Sequence, residues 1–256
     1  MEHDDSVYEK LKKFNLAMGV LHMIQGLLML FLSTDAPWQI EATRLEFDEV
    51  TRSLVPVTET LMEIQLAPVV ALFLLMSATA HFLIATVLYD HYKGHLKNHI
   101  NPYRWYEYSV SASVMIVIIA MLTGIYDVAL LLALFVLVAV MNLMGLMMEK
   151  HNQLTDEVDW TSYNIGCIAG AAPWVVIGIY FGGSLLASGG QVPNFVIAIY
   201  FSLLVFFNLF AINMFLQYKK IGKWKDYLYG ERMYVILSLV AKSALAWQVF
   251  FGTLRP

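Results

Sequence analysis

Residues 236–252, ILSLVAKSALAWQVFFG, form an apolar run broken by a single charged side chain, Lys242. With its flank the run makes a span at 232–252, and a helix needs about 20 mainly apolar residues to cross a bilayer. Six further runs qualify, at 14–32, 66–89, 104–124, 128–148, 162–181 and 194–217. Of the 256 residues, 59% are hydrophobic and 14% charged, with a mean hydropathy of +0.63, too apolar for an ordinary water-soluble domain. No linker between the runs is long enough to separate domains. The expectation is an all-α membrane protein, a single seven-transmembrane-helix bundle over residues 1–256.

The joints between the runs carry the remaining polarity. Segment 33–65, with Pro37, Pro56 and many acids, exceeds the usual connection length and is read as a long loop able to form a small hairpin or cap. Gly124-Ile125-Tyr126-Asp127 alone divides the third run from the fourth. The first thirteen residues have mixed charge and lead straight into an apolar run, so no cleavable signal peptide is expected. A net charge of −4 points to neither a nucleic-acid binder nor a polyanion. Cys167, the one cysteine, cannot close an intramolecular disulfide and is read as a small buried residue.

Basic residues set an orientation. Lys10, Lys12, Lys13, Lys93, Lys97, Arg104, Lys150, Lys219, Lys220, Lys223, Lys225 and Arg232 fall near one face, against Arg44, Arg52 and Arg255 near the other. The positive-inside rule then places the N-terminus in the cytoplasm, the C-terminus outside and the long first loop extracellular. Lys242 is the one basic residue left over.

At about 1.5 Å per residue, Lys242 lies near 15 Å deep in a core of roughly 30 Å. An ionised lysine there is expensive and too deep to snorkel easily. One reading is a buried ion-pair lysine that helps a transporter fold. The sharper reading is an amine freed of its charge, a nucleophile that condenses with an aldehyde. Glu107, near the start of the third run, is the best candidate counter-charge. Ser111 and Ser238 share helix faces with Glu107 and Lys242 at i+4 and i−4. His22 and His81 fall at similar depth in the first two runs, so titratable groups from four helices read as a proton-accepting cavity. Tyr108, Met141, Trp174, Phe206, Phe207 and Trp247 are candidate walls for a flat apolar ligand. His91, His95 and His99 are spaced like a metal-ligand ladder but are read as a solvated face, and no metal site is expected.

The stretches RWYEYSVSASVMIVIIA, GCIAGAAPW, FFNLFA, LQYKKIGKW and GERMYVILSLVAKSALAWQVF resemble heliorhodopsins, retinal proteins of inverted topology, over nearly the whole chain. Where the resemblance leads one to expect an aromatic wall before GCIAG, this chain has Tyr163, Asn164 and Ile165. The resemblance implies all-trans retinal bound covalently to Lys242 as a protonated Schiff base, with Glu107 as counterion and Ser238 beside it. It also implies that His22 and His81 line a cytoplasmic-side cavity, that the protein is a homodimer, and that light isomerises the chromophore to 13-cis in a slow photocycle. The expected function is a light-sensing photoreceptor of the cell membrane, multi-pass, signalling to an unknown cytoplasmic partner, and not an enzyme. Pumping is disfavoured because neither 110–124 nor the chain beyond Lys242 carries a carboxylate. The alternative is a light-gated proton or ion channel using Glu59, Glu63 and Asp127. A seven-helix metallohydrolase fits poorly, because the core histidines stand singly.

Overall fold

The structure, a computed structural model, describes residues 4–255. In chain order it comprises α1 (Asp5–Leu32), β1 (Pro37–Asp48), β2 (Ser53–Gln65), α2 (Leu66–Ala85), α3 (Tyr89–Lys97), α4 (Pro102–Leu122), α5 (Val128–His151), α6 (Thr161–Ala187), α7 (Asn194–Tyr218) and α8 (Tyr227–Val249). A short turn at Gly222–Lys225 precedes α8, and a wider turn, Phe250–Leu254, extends it. Among the described residues, seven helices are long and apolar enough to cross a membrane: α1, α2 and α4 to α8 with its last turn. The protein is mostly helical and membrane-spanning.

Two features depart from a plain seven-helix bundle. The long first loop is an antiparallel hairpin, β1 against β2, with a bulge between Ile40 and Glu41. Asp48 Oδ1 closes its turn by accepting from the Val50 and Thr51 amides at 2.7 and 3.0 Å. Between α2 and α4 lies a short surface helix, α3, because α2 stops at Ala85 and not at 89. There the Thr86 hydroxyl donates back to the Phe82 carbonyl at 2.6 Å, and the backbone leaves helical geometry.

The starts of α4 and α5 follow capping chemistry. Asn101 Oδ1 accepts from the Arg104 amide at 3.2 Å, with Pro102 in the first turn of α4. Asp127 Oδ1 accepts from the Ala129 and Leu130 amides, both at 3.0 Å, and so starts α5 just after the Gly124 turn, where φ is +96°. The first helix begins at Asp5, nine residues ahead of the apolar run. Its charged leader is amphipathic and buries Tyr8 and Leu11 against Tyr92, Leu96 and Leu228. At the far ends α5 runs on to His151 and α6 to Ala187.

The main core joins α2, α4, α5 and α8 through Phe73, Leu74, Ile116, Ile119, Leu134, Leu245 and Val249. By contrast α6 and α7 barely touch along their backbones. Aromatic rings bridge them: Trp174 to Phe207 at 5.4 Å, Trp174 to Tyr200 at 5.9 Å and Phe181 to Tyr200 at 4.8 Å between centroids. This opening positions the site.

Candidate functional site

Lys242 is on the inner face of α8, 3% exposed, and Glu107 reaches it from the second turn of α4. Lys242 Nζ donates to Glu107 Oε1 at 2.7 Å. The third member of the cluster is Ser77, on α2, which sequence reasoning missed. Its hydroxyl donates to Glu107 Oε1 at 2.6 Å and accepts from Lys242 Nζ. A serine inside a helix is too ordinary to stand out in a sequence; only the packing of α2 against α4 brings it here. Tyr108 lies under the amine, its ring centroid 5.1 Å from Nζ, and its hydroxyl donates to the Tyr234 carbonyl at 2.9 Å.

Lys242 borders a small cavity with Tyr108, Ser111, Met115, Met141 and Ser238. Both serine hydroxyls are buried, Ser111 beside the Glu107 carboxylate and Ser238 beside the Tyr108 hydroxyl. Met141, Asn142, Phe207 and Phe210 are shared with a second cavity of about 460 Å³ between α5, α6 and α7. Trp174 and Tyr200 line its far part, and Gly166 and Gly170 form its floor. A Cβ on Gly170 would collide with Met141 Sδ, so glycine there makes room for the Met141 side chain, which walls both cavities. Together the two adjoining cavities outline a passage: the lysine amine borders its small end, about 40 Å³, and the larger end has a volume typical of ligand sites.

Two candidate walls face elsewhere. The Trp247 indole donates to Gln25 Oε1 on α1 at 2.9 Å, away from the passage. Phe206 packs against the main core, while Phe207 and Phe210 wall the cavities. Each residue turns a helix by about 100°, so the two phenylalanines point to different neighbours. Cys167, expected buried, is exposed at the α6–α7 opening and lines the larger cavity.

Toward the N-terminal face the polar groups continue. His81 shares a cavity wall with Ser77, Glu107, Tyr92, Arg104 and Glu231. Its Nδ1 is 2.8 Å from Asn15 Oδ1, and its ring stacks on His22 at 5.6 Å. His22 is fully buried, and among the described residues neither of its ring nitrogens has a hydrogen-bond partner.

One turn below Glu107 sits a buried ionic cluster. Arg104 pairs with Glu149 of α5 and Glu231 of α8, and the three side chains are 4%, 2% and 1% exposed. Glu149 Oε2 also accepts from the Asn101 amide at 2.9 Å and the Trp105 indole at 2.7 Å, and Asn101 Nδ2 donates to Glu231 Oε2 at 2.9 Å. Arg104 is thus not a loop charge, and Lys242 is not the only basic residue inside the bundle; the orientation count loses one member and keeps its sign. The histidine ladder does not act as a unit: His91 is exposed, His95 meets the Tyr103 ring, and His99 stacks on Tyr227. Among the described residues, no group of three His, Cys, Asp or Glu side chains is placed to hold a metal.

No curated protein matches the chain. A family model described as Heliorhodopsin matches residues 11–254. An apolar seven-helix chain with a buried lysine–glutamate pair at the head of a cavity, matched almost end to end, belongs to the heliorhodopsin family of retinal-binding microbial rhodopsins.

Proposed function

We propose that the chain is a light-sensing retinal photoreceptor in which Lys242 is the attachment point, as a protonated Schiff base, and Glu107 the counterion. The observation that carries this reading is the 2.7 Å pair of buried Lys242 and Glu107 at the mouth of the passage. Three features of the site fit an aldehyde-bearing polyene. Its amine is buried, its walls are Tyr108, Met141, Trp174, Phe207 and Phe210, and Gly170 gives the Met141 wall the space it packs into. The buried hydroxyls of Ser111 and Ser238 supply polar contacts beside the amine. Bound retinal, all-trans at rest, supplies the visible absorption and a light-driven isomerisation.

The chain's own residues do the rest. Glu107 balances the positive charge at the Lys242 nitrogen, and Ser77 holds the Glu107 carboxylate in place by donating to Oε1. Flat aromatic walls restrict which bond of an elongated ligand can turn. His22, His81 and Ser238 form the polar surroundings into which a proton leaving the pair can move.

Orientation follows from the basic bias: N-terminus and α3 cytoplasmic, hairpin and C-terminus outside, in the cell membrane. A homodimer with a cytoplasmic signalling partner completes the reading, which is that of a receptor and not an enzyme. Two of the three acids that would serve a channel are otherwise engaged: Glu59 pairs with Arg44, and Asp127 caps α5. Expression with all-trans retinal tests the function. A visible band bleached by hydroxylamine is expected, and it should be lost in Lys242→Ala; a band surviving that substitution refutes the reading.

A further inference from the structure

Asn15 is fully buried on α1, and its side-chain amide is held in one orientation. Nδ2 donates to the Leu11 carbonyl at 3.0 Å and to the Tyr92 hydroxyl at 3.5 Å. A carbonyl oxygen can only accept, so the end of the amide facing Leu11 must be the NH2 group. Oδ1 is left toward His81, 2.8 Å from Nδ1. An amide oxygen likewise only accepts. In the neutral imidazole the proton must therefore sit on Nδ1, and Nε2 keeps the lone pair.

We propose that Asn15 is a positioning residue that fixes His81 in the Nδ1–H form and makes Nε2 the proton acceptor of the site. This rests on the photoreceptor reading for its use, though not for its geometry. His81 borders the cavity that holds Glu107 and Ser77. The stacked His22 ring makes no hydrogen bond that would hold the His81 ring in an alternative orientation. A proton leaving the Lys242–Glu107 pair forms an N–H bond at His81 Nε2 as its former bond breaks, giving an imidazolium whose other N–H is already held by Asn15. Tyr92 ties the same asparagine to the surface helix α3.

The test is magnetic resonance of the full-length protein in bilayers, with histidine labelled by the heavy nitrogen isotope and His81 assigned by difference against His81→Phe. In the dark, His81 is expected to show a protonated Nδ1 and a bare Nε2, with or without retinal. Asn15→Leu should lose that preference, and Asn15→Asp, which keeps an accepting oxygen, should retain it. A wild-type His81 with the proton on Nε2 overturns the proposal without any variant, as does an unchanged tautomer in Asn15→Leu. Because these are dark properties of the retinal-free chain as well, a missing visible band would sink the photoreceptor reading and leave the tautomer result standing. Under illumination the loaded protein should gain a second N–H at His81; a light-driven cycle that leaves Nε2 bare overturns the acceptor role.

Discussion

Arg104→Met removes the one positive charge between two carboxylates that water does not reach. The Glu149 and Glu231 side chains are 2% and 1% exposed, so neither can recover its hydration without opening the bundle. Breaking a buried pair by deleting one partner costs about 3–5 kcal/mol. Here a single deletion strands two like charges, which puts the expectation at the upper end of that range. At roughly 2–4 °C per kcal/mol for a chain of this size, the melting temperature should fall on the order of 10 °C. The assay is thermal unfolding in lipid nanodiscs, followed by tryptophan fluorescence. The triple variant Arg104→Met, Glu149→Gln, Glu231→Gln carries no stranded charge and should recover most of the loss. An Arg104→Met protein that melts with the parent, or a triple variant no better than the single one, refutes the reasoning.

Glu107→Gln should move the visible band to the red, since the positive nitrogen loses its balancing charge; an unmoved band assigns the counterion role to another group. Gly170→Leu places a side chain where even Cβ meets Met141, so pigment formed per protein should drop sharply, and parent-like absorbance contradicts the proposed passage. Asp127→Ala removes the oxygen that accepts from two α5 amides and should cost about 1 kcal/mol in the same unfolding assay, with the visible band unmoved. A colour change in that variant speaks for a longer reach from the hairpin side than the structure contains.

Much of this architecture is legible in the sequence because a bilayer imposes a length. Apolar runs of the required size stand out, and so does one lysine in the last of them. The break at Gly124–Asp127 is visible too, since a glycine turn followed by a capping aspartate is local chemistry. What escapes is whatever depends on the neighbouring helix. Ser77 and Asn15 look like any helical serine and asparagine until α2 and α1 are packed. Arg104, Glu149 and Glu231 lie where interfacial charges are expected, and only their convergence from three helices shows that they are buried. Phe206 and Phe207 differ by one position and about a third of a turn. The residue type of Cys167 points to the interior, but the bundle opens at α6 and α7 and leaves it at the edge. The hairpin carries no span-length signal at all; its pattern is a strand alternation within a loop rich in acids.

Borohydride reduction of the pigment, followed by proteolysis and mass spectrometry, tests the central claim most directly. A retinyl group on the peptide containing Lys242, and on no other, is the predicted result. The same mass increment on a different lysine, or on none, contradicts it.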